Sequence, residues 1–139
     1  MSAYEKLLEH IETLHIVDTH EHLPVFEDRR PQNTDVLAEW LTHYFSCDLV
    51  SAGLSEADLA RARDSSEDLM VRWKLVQPFW HAARSTGYGR ALDIAARDIY
   101  GIERVEGESL RELDRRFQDA RSQGNHYRRV LREKSRMSV

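Results

Sequence analysis

Apolar residues recur at helical spacing over most of this chain. Tyr4, Leu7, Leu8, Ile11 and Leu14 fall on one stripe, which predicts a helix from about Ala3 to Leu14. A second stripe, Val36, Leu37, Trp40, Leu41, Tyr44 and Phe45, predicts a helix from near Thr34 that runs on to Gly53. A short helix is expected after Ser55. A longer one is expected after Ser65, with Leu69, Trp73 and Val76 inward and a kink or restart at Pro78, which lacks a backbone donor. Gly87 and Gly89 read as the brackets of a turn. Ala91, Leu92, Ala95 and Ile99 then form a helix that stops at Gly101, a good left-handed cap. Leu110, Leu113 and Phe117 mark a further helix ending near Gly124, and Tyr127, Val130 and Leu131 a last one, opened by Asn125.

Helix starts of the capping-box type support these boundaries. They are Ser2 with Glu5, Ser55 with Asp58, Ser65 with Asp68, and Ser109 with Glu112. In each, a serine oxygen can take an orphan first-turn N–H, and the acid three residues on suits the positive helix end.

One stretch breaks the helical pattern. Ile16-Val17-Asp18-Thr19-His20-Glu21-His22-Leu23 reads as a short strand, Ile16 to about Thr19, followed by a polar loop with Pro24, Asp28, Arg29, Arg30, Pro31 and Asn33. A lone strand leaves backbone groups unpaired, so its partners are expected elsewhere. Apolar surface is therefore expected along Ile16 and Val17.

Composition narrows the setting. The 139 residues suit one domain, and the formal net charge is −4. Residues 1–110 hold 11 Lys/Arg against 20 Asp/Glu, whereas residues 111–139 hold 9 against 4. The basic tail reads first as a solvated helix face. The one cysteine, Cys47, excludes an internal disulfide and reads as a small core residue. No apolar run nears the ~18 residues of a membrane span, and the first fourteen residues are too charged for a signal peptide. The expected setting is cytoplasmic, with no nucleic-acid and no membrane partner.

The candidate chemistry lies in the odd stretch. In a strand, residues two apart share a face, so His20 and His22 would sit together at its carboxyl end, with Asp18 two residues back and Glu21 facing away. Two imidazoles so placed can share a divalent ion, and Asp18 could hold one ring's tautomer. By spacing alone, surface or capping histidines are the commoner case. His43, Tyr44 and His81 read as packing, rim or polar-face residues. Arg29 and Arg30 read as a solvated loop that could also meet an anionic substrate.

"IVDTHEHLP" resembles the first-strand signature of the amidohydrolase superfamily of metal-dependent (β/α)8-barrel (TIM-barrel) enzymes. Glu39-Trp40-Leu41-Thr42-His43-Tyr44, Gly53-Leu54-Ser55, Gln77-Pro78-Phe79-Trp80 and Tyr100-Gly101-Ile102 are similar to the helical segment that follows strand one in its uronate-isomerase-like branch. The resemblance implies a mostly α chain in which an N-terminal helix, barrel strand one and its loop span residues 1–33. Residues 34–139 would be a helical insertion, and the barrel would be incomplete. It implies His20 and His22 as metal ligands, with zinc the expected divalent metal, and later strands supplying the remaining ligands. It also implies a hydrolase in which metal-activated water attacks a carbonyl-type centre of a small-molecule substrate. A homo-oligomer is left open. Such barrels take about 250 residues, so the chain is expected to be an N-terminal part, inactive alone. Phe45, Ser46, Cys47 and Asp48 stand where the isomerases carry Lys and Arg, which ranks an aldose–ketose isomerase second. A non-catalytic helical interaction module, its basic tail on an acidic partner, is the alternative from another class.

Overall fold

A computed structural model describes residues 1–20, 22–24, 26–29 and 31–138, with only the backbone described at Ser138. The chain is mostly helical, and it divides into two compact units, residues 31–124 and residues 1–30 with 125–139.

Residues 31–124 hold six α-helices: α2 (Val36–Trp40), α3 (Phe45–Ser51), α4 (Glu56–Arg63), α5 (Leu69–Ala83), α6 (Gly87–Tyr100) and α7 (Gly107–Ser122). Every buried apolar residue described lies between Val36 and Ala120. Trp80 is central. Its ring meets Phe45 edge-on at 4.7 Å and Trp73 at 5.2 Å, and Trp40 stacks on it at 6.5 Å. Leu37, Leu41, Leu49, Leu110 and Leu113 close the core, each contributing about 1.5–3 kcal/mol by burial.

One cation sits inside this core. Arg72 is fully buried and pairs with Asp35 through both guanidinium nitrogens. It also donates to the carbonyls of Glu67 and Ala62, both at 3.0 Å. Asp35 in turn caps α2 by accepting the Ala38 N–H at 2.9 Å. The charge is thus paired and its donors are used, as burial requires.

The helix expected from Thr34 to Gly53 is two helices. Residues 41–44 form a turn because side chains take carbonyls that a continuous helix would use. Thr42 Oγ1 donates to Glu39 O at 2.6 Å, Ser46 Oγ to His43 O at 2.7 Å, and Arg63 Nε to Leu41 O at 2.7 Å. Ser55 caps α4 as expected, accepting Asp58 N–H at 3.0 Å. Ser65 does not open α5. Its hydroxyl donates to Asn33 O, and Asp68 is the cap, accepting from Met70 and Val71. The α5 helix runs through Pro78 as one element rather than restarting there.

Gly87 and Gly89 lie inside α6, not around a turn, because Thr86 caps that helix by accepting the Gly89 N–H. A side chain on Gly89 would stand 2.6 Å from Ala83 O, so glycine there permits the close approach of the preceding backbone. The α6 helix ends at Gly101, with φ +66°, as expected. The α7 helix starts two residues before Ser109. Glu106 is its cap, and Ser109 receives the Glu106 N–H at 2.9 Å, so the serine closes the box from inside the helix. Cys47 is exposed, and its neighbour Ser46 takes the buried position.

The second unit holds α1 (Ala3–Thr13), β1 (Ile16–Val17), a 3-10 turn (Glu27–Arg29), a π-helix (Arg128–Lys134) and β2 (Met137–Ser138). The Ser2–Glu5 capping box is complete, with bonds of 2.5 and 3.2 Å. The strand is shorter than expected, and it has a partner. The β1 and β2 strands pair in parallel, Ile16 opposite Met137 and Val17 opposite Ser138. Ile16 and Val17 remain 45% and 69% exposed. The tail helix is held by Glu27, not by Asn125. The Glu27 carboxylate accepts the N–H groups of His126 at 2.6 Å and Tyr127 at 3.1 Å, and Tyr127 OH donates to Pro24 O at 3.1 Å.

Candidate functional site

His20 and His22 follow β1 and lie beyond its last paired residue. The alternation of a strand therefore does not bring them together. The chain turns instead at Asp18, whose Oδ1 accepts the His20 backbone N–H at 3.0 Å. Asx turns of this kind are a local property of the aspartate side chain. The two rings still converge. Their centroids are 4.8 Å apart and nearly perpendicular, and Nε2 of His20 lies 3.0 Å from Nε2 of His22.

That contact has two chemical meanings. Two neutral rings can share one proton, one nitrogen donating and the other accepting. Alternatively, both nitrogens can face one cation. The donors are borderline-soft nitrogens, the class that suits zinc. The residues present fit two positions of a metal site. Among the described residues no group of three or more His, Cys, Asp or Glu side chains is gathered to complete one.

The contact Asp18 makes here is with the His20 backbone N–H. Both histidines are exposed. Glu21, expected to face away, and Arg30 lie outside the described residues. Arg29 lies 5.1 Å over the ring of Phe26, a cation–π contact that holds the loop side chain. His43 and His81 are exposed in the other unit. Tyr44 stacks on Tyr88 at 5.3 Å, a rim position. Asp48 accepts the Thr86 hydroxyl at 2.6 Å.

Two features were not legible from the sequence. The first is Glu27 as an anchor of the tail, because its partners stand about a hundred residues away and backbone N–H groups carry no sequence signal. The second is β2, two residues long and without an apolar alternation to mark it.

No helix among the described residues is long and apolar enough to cross a membrane. No protein-family model matches the chain, and no curated protein and no solved structure was found to match it.

Proposed function

We propose that this chain is the N-terminal part of a metal-dependent hydrolase of the amidohydrolase superfamily, with His20 and His22 as its first-strand metal ligands. The observation that carries the reading is the approach of the two Nε2 atoms to 3.0 Å just past a strand. A parallel strand pair supports it. Parallel strands require a crossover connection, and here the connection from β1 to β2 carries six α-helices and no further strand among the described residues, which accords with a helical insertion between two strands.

A bound divalent ion would supply Lewis acidity and bring the pKa of a water down to about 7. The chain's own residues do the holding. His20 and His22 offer their Nε2 lone pairs and take no part in proton transfer. Asp18 fixes the backbone at His20, and Glu27 with Tyr127 ties the following loop to the tail helix. An isomerase of the uronate type ranks below the hydrolase, because Phe45 and Ser46 are buried and Asp48 is engaged by Thr86 where cations for a sugar acid would stand.

The test is to sequence the DNA beyond codon 139 in all three frames. The expected result is a frame that continues through further strand–helix repeats, with two more histidines and a late aspartate at strand ends. A stop with no continuing frame would overturn the reading and leave a helical interaction module.

A further inference from the structure

The α1 helix is amphipathic, yet not one of its residues is buried. Tyr4 is 72% exposed, Leu7 61%, Ile11 52% and Leu14, at its C-terminal end, 49%. These four fall at the a and d positions of two successive heptads, and Leu8 adds to the same face. Ile16 and Val17, just beyond, are open as well.

The polar side of α1 says what can cover the stripe. Glu5, Lys6, Glu9 and Glu12 take the b, c and f positions, away from the seam. The flanks beside the seam hold Ala3, Leu8 and His10, with no carboxylate. Two such stripes therefore meet without like charges opposed. A lipid surface is disfavoured, because helices that lie on anionic membranes carry Lys and Arg on the polar face. The area is adequate for two copies. The five side chains of the stripe present on the order of 600 Å² per copy, so a pair buries at most on the order of 1,200 Å², the lower end of stable interfaces.

We infer that α1 is a self-association surface, on which the α1 of a second copy packs seam to seam. This inference is independent of any metal chemistry at His20 and His22. Sedimentation equilibrium of the full chain across a concentration series tests it. The expected mass rises to twice 16.3 kDa. Leu7→Glu and Ile11→Glu should each return it to the monomer value. Lys6→Glu, a larger charge change on the outer face, should leave the doubled mass intact. The thermal melt of all three variants should match the parent, since α1 contributes nothing to the core. A parent that stays monomeric at every concentration would overturn the inference. So would association that survives Leu7→Glu and Ile11→Glu, or that Lys6→Glu also abolishes. A monomer that instead co-sediments with phosphatidylserine vesicles would place a membrane on the stripe and overturn it too.

Discussion

Arg72 shows what a single buried charge costs and fixes. Its guanidinium holds Asp35, Glu67 O and Ala62 O at once, so truncation orphans a carboxylate and two carbonyls. Arg72→Ala is expected to lower the unfolding free energy by about 3–5 kcal/mol, measured by urea denaturation. The sequence carries no signal for this pair, because Asp35 and Arg72 stand 37 positions apart and meet only in the fold. Glu112 is the opposite case, a carboxylate open to solvent at the surface of α7. Hydrogen bonds from Arg115 and then Arg116 hold its carboxyl at about 2, below the ordinary 4.5. A depressed carboxyl contributes stability above its unfolded pKa and loses it as pH falls through the folded one. Glu112→Gln should therefore flatten the acid dependence of the melting temperature between pH 4.5 and pH 2, with a modestly lower melting temperature than the parent at pH 7 and no difference left near pH 2. Added salt should shrink the difference, because the pairs are exposed.

At the level of elements, two glycines of α6 make opposite predictions from the same substitution. Nothing lies within 4 Å of a side chain added at Gly87, whereas one at Gly89 would meet Ala83 O at 2.6 Å and Arg84 O at 2.8 Å. Gly87→Ala should stabilise by about 0.5–1 kcal/mol through helix propensity. Gly89→Ala should destabilise despite the same propensity, because backbone atoms cannot give way as a flexible side chain does. Thermal melts of the two variants check both signs. Helix existence was well marked in the sequence, since stripes such as Tyr4 to Leu14 and the Ser2 and Ser55 boxes are local signals. The misplaced ends have local causes of another kind. Thr42, Arg63 and Thr86 each redirect a backbone group through a side-chain bond, and a hydropathy stripe passes over such bonds unchanged. The histidine pair was placed together correctly, but through the Asp18 turn rather than through strand alternation.

For the whole molecule, the core is confined to one segment. Because every buried apolar residue described lies between Val36 and Ala120, residues 31–124 alone should unfold cooperatively. Circular dichroism should place that fragment's midpoint within a few degrees of the full chain. A broad, non-cooperative melt of the fragment would show that residues outside it are needed. The parallel pairing of Ile16–Val17 with Met137–Ser138 has a further consequence in time. About 120 residues separate the two strands, and at roughly 5–20 residues per second synthesis takes on the order of ten seconds to span them. The helices from Val36 to Ser122 are made of local contacts and can form within that interval. Ile16 and Val17 leave the ribosome among the first residues of the chain, yet β1 must wait for β2 before its backbone is paired. The strand that leads to His20 and His22 is thus synthesised early and completed last, and through that interval its open edge is the part of the chain most available to a chaperone or to a neighbouring nascent copy.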